Sequence, residues 1–238
     1  MCNQEYNIIM LETEIYKNVY EANLKLSKSN LVIQNFGNAS QRNNEGFVIK
    51  PSGVNLDKNS YKDMVGLDFK GTKLYGDLQP SSDEPTHRFI YQNSDYVGGI
   101  VHTHSKYATA FAQANKEIIN YGTTHSDFSE YNILVTEQLT TEEVQNDYEL
   151  NTGRKIIEKL NLNNLDFQHT PGILSIRHGV FAWGRDIFEA LINAELIEYI
   201  AEMAYLTESL SKEAAGIETY VSKKHFNRKH GPDKYYGQ

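Results

Sequence analysis

From Leu11 onward, apolar residues recur at helical intervals: Leu11, Ile15, Val19, Ala22 and Leu26 share one face. The polar run Ser27-Lys28-Ser29-Asn30 closes this first helix, and residues 1–9 ahead of it carry no clear pattern. A short apolar run, Leu31-Val32-Ile33, ends at Gly37-Asn38. Gly46 to Lys50 reads as a strand closed by Pro51-Ser52-Gly53, and Leu67 to Leu78 predicts a hairpin turning near Lys70-Gly71. Pro80 to Pro85 forms a helix entry. Ser82 or Asp83 can cap it, Pro85 suits the first turn, and Phe89 and Ile90 follow on the buried face.

Gly98-Gly99-Ile100-Val101 predicts a buried strand that runs into His102-Thr103-His104, followed by a small-residue helix over Ala108 to Ala114. Tyr131 to Val135 reads as a strand and Gly153 to Leu160 as part of a helix. Ile173 to Ile176 and Val180 to Trp183 read as strands flanking Arg177-His178-Gly179. The longest helical pattern spans Ile187 to Leu206. The tail from Ser211 to Gln238 is polar, with a helix predicted at its start and irregular chain from Gly231-Pro232. Helices and near-neighbour strands alternate irregularly, which favours a layered α/β sandwich with a mixed or largely antiparallel sheet. No GxGxxG or P-loop pattern follows any strand, so a nucleotide cofactor has no support.

Composition narrows the picture. The 238 residues are 39% hydrophobic and 23% charged, which suits one globular domain over residues 1–238 with a substantial core. Net charge is −8, from 31 acids against 23 bases, and this argues against nucleic-acid binding, which needs a basic face. An anionic ligand would have to be held by local donors. A single cysteine, Cys2, excludes an internal disulfide and a multi-thiolate metal site. Neither a leader pattern nor an apolar run of membrane-spanning length is present, so the expectation is a cytoplasmic protein with no membrane partner.

Within this frame three constellations carry chemistry. His102 and His104 stand two apart at a strand end, so both imidazoles can face one ion. A third ligand is needed; His178, in its loop before Gly179, and His125, in Thr123-Thr124-His125-Ser126-Asp127, compete for that place. Three imidazoles leave a coordination position open, as a catalytic divalent site requires. The second constellation is three small-residue loops: Gly37-Asn38-Ala39-Ser40, Pro51-Ser52-Gly53 and Pro80-Ser81-Ser82-Asp83. Their hydroxyls and backbone N–H groups suit a phosphate, and Lys50 can add positive charge. The third is a pair of proton-transfer candidates, Asp127 and the phenols of Tyr235-Tyr236, which chain position alone would leave as a surface acid and a tail.

Seven segments taken together resemble the class II aldolase family, and within it the L-ribulose-5-phosphate 4-epimerases. They are Asn35 to Ser40, Val48 to Val54, Pro80 to Asp83 with Pro85-Thr86-His87, Gly98 to His104, Gly122 to Asp127, His178-Gly179 with Phe181 to Gly184, and Arg228 to Gly231 with Tyr235 to Gln238. The resemblance implies a start near Met10, so the expectation for residues 1–9 is an extension or a misassigned start. The resemblance implies a three-layer α/β/α sandwich around a mixed, mostly antiparallel sheet. It implies a Zn2+ ion, or Mn2+ or Co2+, on His102, His104 and His178, with Asp83 as a further ligand. It implies phosphate held by Gly37, Asn38, Lys50, Ser52, Gly53, Ser81 and Ser82, and Asp127 with Tyr236 as an acid/base pair on opposite faces of the substrate. The implied reaction converts L-ribulose 5-phosphate to D-xylulose 5-phosphate by retro-aldol cleavage between C3 and C4 and re-addition. The implied assembly is a homotetramer with sites between subunits. The related aldolases of fuculose or rhamnulose phosphate carry a glutamate where this chain has Asp83, which favours the epimerase. Val180 stands where a proline is common.

Overall fold

In a computed structural model, residues 2–34, 36–232 and 234–236 are described, with side chains from residue 13 onward. Strands β1 (Asn38–Arg42), β2 (Gly46–Ile49), β3 (Val65–Asp68), β4 (Lys73–Tyr75), β5 (Gly99–Thr103), β6 (Gly172–Ser175) and β7 (Gly179–Gly184) form one sheet in the order β4-β3-β2-β1-β5-β7-β6. Every named pairing in it is antiparallel.

Both faces of the sheet are covered, and strand alternation assigns side chains to each. Val48, Val101, Leu174, Val180 and Ala182 pack with helices α1 (Cys2–Lys28), α3 (Lys106–Gln113) and α7 (Ile187–Leu210). Phe47, Ile49, Ile100, Ile173, Phe181 and Trp183 pack on the opposite face with α2 (Glu84–Gln92) and α6 (Tyr148–Leu162). The result is a three-layer sandwich with its sheet buried on both sides. Short helices α4 (Thr123–Ser126) and α5 (Thr141–Gln145) and the C-terminal α8 (Thr219–His230) complete the chain. No described helix is long and apolar enough to cross a membrane.

Several elements depart from the pattern-based expectation. Helix α1 begins at Cys2, not near Leu11, because no glycine or proline interrupts the chain ahead of Leu11. The apolar run Leu31 to Ile33 is turn and loop, and the strand follows it in the polar sequence Asn38-Ala39-Ser40-Gln41-Arg42. This central strand tolerates its polarity because several of its buried groups are met, while Asn38 Oδ1 and Gln41 Oε1 have no partner among the described residues. Asn23 of α1 donates from Nδ2 to the Ala39 carbonyl (3.0 Å) and accepts from the Ala39 N–H (2.8 Å). Tyr131 to Val135 makes only isolated bridges, Ile133 to Ile118 on one side and Val135 to Leu174 on the other. In the tail the order is reversed: the chain is irregular from Ser211 and tied at Ile217 N–H to the Asn120 carbonyl (2.8 Å), and the helix comes later, at Thr219.

Candidate metal centre and anion cleft

The site is assembled at one end of β5 and β1, where the chain leaves the sheet. Val180 O accepts from His102 Nδ1 at 2.8 Å, which fixes the proton on Nδ1 and leaves the Nε2 lone pair facing the cleft. Because the acceptor is a backbone carbonyl, the valine at this position does not disturb it. His104 follows just past the strand, its Nε2 3.1 Å from that of His102. His178 arrives from the β6–β7 turn, where Arg177 takes a left-handed conformation (φ 55°) to reverse the chain. Gly179 then permits close approach: a Cβ there would lie 2.4 Å from the Thr103 carbonyl and 3.2 Å from His102 Cε1.

The three rings are 4.7 to 5.0 Å apart by centroid, and one nitrogen from each lies within 4.8 Å of the others. Among the described residues this is the grouping that could hold a metal ion, and His125 is not part of it. His125 instead donates from Nε2 to the Tyr131 carbonyl (3.0 Å), beneath α4. The donor set fits a divalent cation. Burial, with His102 close by, pushes His178 down to about 3 and His104 to about 4, so both rings are neutral at pH 7, as ligation requires. His178 Nδ1 is buried without a hydrogen-bond partner among the described residues.

Asp83 stands at the N-cap position of α2, yet its side chain makes no capping bond. Its Oδ2 accepts from Asn38 Nδ2 at 2.6 Å and lies 3.9 Å from His102 Nε2. Burial raises the carboxyl's proton affinity, but the surrounding histidines and Asn38 outweigh that and hold it below the usual range. The sequence-level cap is thus turned into the site.

A cleft of about 390 Å³ extends from the imidazoles. Its walls include Gly37, Asn38, Lys50, Ser52, Gly53, Ser81, Ser82, Asp83, His102, His104 and His178, which unites the three small-residue loops with the histidines. The loops are zipped together: Ser52 N–H donates to Gln79 O (2.9 Å) and Ser81 N–H to Lys50 O (2.9 Å). Lys50 is buried, donates from Nζ to Gly37 O (3.1 Å), and has its ammonium pKa lowered by that burial. Phe36, Tyr148 and Glu149 also line the cleft and were not singled out from sequence. The last two reach it because Asp147 adopts a left-handed conformation (φ 58°) at the start of α6, a turn with no composition signal.

Asp127 and Tyr236 do not line this cleft within one chain. They sit together elsewhere. Asp127, at the end of α4, accepts from Arg228 Nε (2.9 Å), Arg228 Nη2 (2.5 Å) and His225 Nδ1 (3.1 Å). Partial burial works against ionisation of this carboxylate, but Arg228 and His225 win and hold its pKa low. The other face of Arg228 lies 4.4 Å from the Tyr236 ring.

The depressed histidines give a stability prediction. His178 and the buried His87 both fall from 6.5 to about 3, so between these values the unfolded chain binds more protons than the folded one. Their contribution is therefore complete above pH 6.5 and is lost as pH falls toward 3. His104 opens to solvent and adds less. The unfolding free energy of chelator-treated protein, read from urea titrations, is expected to drop between pH 7.5 and 5.5, by roughly 1 kcal/mol per histidine for each unit below 6.5, and the urea midpoint with it. An unchanged midpoint would mean these rings titrate freely in the fold.

Comparison with known proteins agrees with this architecture. The solved structure of an L-fuculose 1-phosphate aldolase superposes with a TM-score of 0.76 at 21% identity, over 90% of this chain and 95% of its own. An L-fuculose 1-phosphate aldolase from Glaciozyma antarctica PI12 gives 0.73 at 16% identity, over 93% and 83%. A sugar-phosphate aldolase from Thermotoga maritima gives 0.60 at 24%, over 85% and 97%. At these identities the likeness speaks for the fold. The sequence profile of the class II aldolase and adducin N-terminal domain matches residues 17–205, most of the chain, and the protein therefore belongs to the class II aldolase and adducin family.

Proposed function

We propose that this protein is a metal-dependent L-ribulose-5-phosphate 4-epimerase. The observation that carries the reading is the union, in one cleft, of a three-imidazole cluster with the Asn38, Ser52 and Ser81 loops. One end suits a cation and the other a phosphate, so a short phosphorylated sugar can span them. A divalent ion held by His102, His104 and His178, with Asp83 beside them, would supply Lewis-acid polarisation of the substrate carbonyl.

The protein's own groups do the rest. The hydroxyls of Ser52, Ser81 and Ser82 and the backbone N–H groups of Gly53 and Ser82, with Lys50 behind them, hold the phosphate. They keep the aldehyde fragment tethered after the C3–C4 bond breaks, so that it can rotate and be attacked on its other face. Inversion needs one proton-transfer group per face, and Asp127 with Tyr236 is the pair for it. Their distance from the cleft within one chain is accommodated in a homotetramer whose sites lie between subunits. Arg228 then serves both groups, by its hydrogen bonds to the carboxylate and its stacking on the phenol. Asp83 in place of the aldolases' glutamate favours epimerisation over simple cleavage.

Purified protein incubated with L-ribulose 5-phosphate is expected to yield D-xylulose 5-phosphate, and a chelator to stop it. Stoichiometric release of free aldehyde without a C4 epimer would instead make the protein an aldolase of the fuculose or rhamnulose phosphate type.

A further inference from the structure

Helix α8 buries only Ser222 and Phe226 of its 12 residues, so it has a single apolar anchor. One phenyl ring resists removal of the helix but does little to stop it pivoting, and its exact placement falls to hydrogen bonds. That placement matters for the acid/base pair. His225 and Arg228 of α8 donate to the Asp127 carboxylate at 3.1 and 2.9 Å. The Arg228 carbonyl in turn accepts the N–H groups of Tyr235 (3.0 Å) and Tyr236 (3.1 Å), which ties the tyrosine tail to the helix end.

The buried bonds that place α8 centre on Asn120, which is 5% exposed. Its Nδ2 donates to Ser222 Oγ of α8 (3.2 Å) and to the Ser129 carbonyl (3.3 Å). Its Oδ1 accepts from Ser126 Oγ of α4 (3.2 Å), the residue just before Asp127, and that hydroxyl shares its proton with the Gly122 carbonyl (3.1 Å). The Asn120 carbonyl accepts from Ile217 N–H (2.8 Å) on the approach to α8, and its own N–H donates to Asn132 Oδ1 (3.0 Å). Ser222 Oγ donates onward to the Glu130 carbonyl (3.2 Å). The amide can take only one orientation. The Ser129 carbonyl and the already-donating Ser222 hydroxyl both need a donor, so the NH2 faces α8 and the oxygen faces α4. Ser126, Ser129 and Ser222 are at most 3% exposed, and in such a network a lost partner is not replaced at no cost.

We propose that Asn120 is a positioning residue for the acid/base pair: by joining Ser126 of α4 to Ser222 of α8, it fixes the helix that presents Arg228 to Asp127 and carries Tyr236. The inference rests on the epimerase reading above and deepens it, naming a residue that touches neither ion nor substrate. Asn120 does not line the histidine cleft, so its loss acts on proton transfer and leaves metal and phosphate binding as they were.

The test is steady-state epimerisation of L-ribulose 5-phosphate by the full chain supplied with Zn2+, with metal content measured alongside. Asn120→Ala is expected to lower kcat by about 10–100-fold, the scale for a reacting group displaced by about an ångström, with KM changed less than about twofold and metal content at the parent level. Ser222→Ala removes only the α8 end of the network, from a helix that alanine suits. It is expected to lower kcat about fivefold, the equivalent of one hydrogen bond, and it serves should Asn120→Ala not fold. Added to Asn120→Ala, the Ser222→Ala change is expected to cost less than about twofold more, because the link is already broken. Parent kcat in both single variants, fully multiplying losses in the double variant, or a KM rise or metal loss as large as the fall in kcat would each overturn the proposal and leave Asn120 as a fold-stabilising amide. A parent protein that does not epimerise, or an Asp127→Asn protein at the parent rate, would sink the assigned acid/base pair and this inference with it. A slowed Asp127→Asn protein beside full-rate Asn120→Ala and Ser222→Ala proteins would sink the inference alone.

Discussion

Replacing His104 by alanine is expected to strip the protein of its divalent ion and to bring sugar-phosphate turnover down to background. His102, His104 and His178 present one nitrogen each within a 4.8 Å span, and a cation shared by three imidazoles cannot be held comparably by two. Losing an outer partner of a metal ligand already costs roughly 10–100-fold in affinity, and losing a ligand itself exceeds that. His104 is the informative choice among the three because it is the exposed one, past the end of β5, whereas His102 is buried against Phe181. Substituting an exposed side chain away from the core changes stability by only about 0.5 kcal/mol, so the ion is lost while the fold stays. Metal content per chain after gel filtration, with a thermal melt alongside, separates the two effects. The counterpart His125→Ala is expected to keep the ion while melting earlier, since it removes a buried donor to Tyr131. Should His104→Ala retain a full equivalent of metal and His125→Ala lose it, the centre would have to be drawn elsewhere.

That pair of variants also marks how far the residues could be read without coordinates. The parity of His102 and His104 at the end of a buried strand is local, and local periodicity suffices to aim both rings together. The choice between His178 and His125 is not local. It depends on β7 lying beside β5 in a register that pairs His102 with Phe181 and Thr103 with Val180, which brings the β6–β7 turn over the strand end. Nothing in the spacing of seventy-odd residues encodes that neighbour relation. Strand β1 was hidden for a different reason: its Asn38, Ser40 and Gln41 break the apolar alternation that marks a buried strand. Distant residues meet part of this polarity: Asp83 accepts from Asn38, His87 and Tyr91 meet Ser40, and Asn23 bonds the Ala39 backbone. Asp83 was legible as a cap because its chain position is a cap position; only the side chain's diversion to Asn38 makes it part of the site. The small-residue loops, by contrast, were readable singly as turns, and the Pro51–Pro80 bridge is what joins two of them into one wall. In each case the chemistry-bearing residue is visible in the chain and its partner is not.

The strongest test of the proposed assembly uses two inactive proteins. Asp127→Asn is expected to lower epimerisation by about 10²–10⁴-fold, the range for loss of a positioned acid/base group, and to leave metal content unchanged. His104→Ala is inactive for the separate reason given above. Within one chain Asp127 is engaged by Arg228 and His225 and is not part of the wall of the histidine cleft, so the two defects fall on different surfaces of the molecule. If each active site takes its imidazoles from one subunit and Asp127 from the next, co-assembled variants contain some sites in which both contributions are intact. Random mixing at equal amounts makes that about one quarter of all sites in a closed symmetric oligomer, and activity is expected to return to about that fraction of the parent value. Differently tagged chains co-expressed and purified through both tags provide the mixed species. Were every site built from one chain alone, each would carry one defect or the other and no mixture would recover. Absence of recovery in verified mixed oligomers would therefore remove Asp127 from the neighbouring site, and with it the two-sided proton transfer on which inversion at C4 depends.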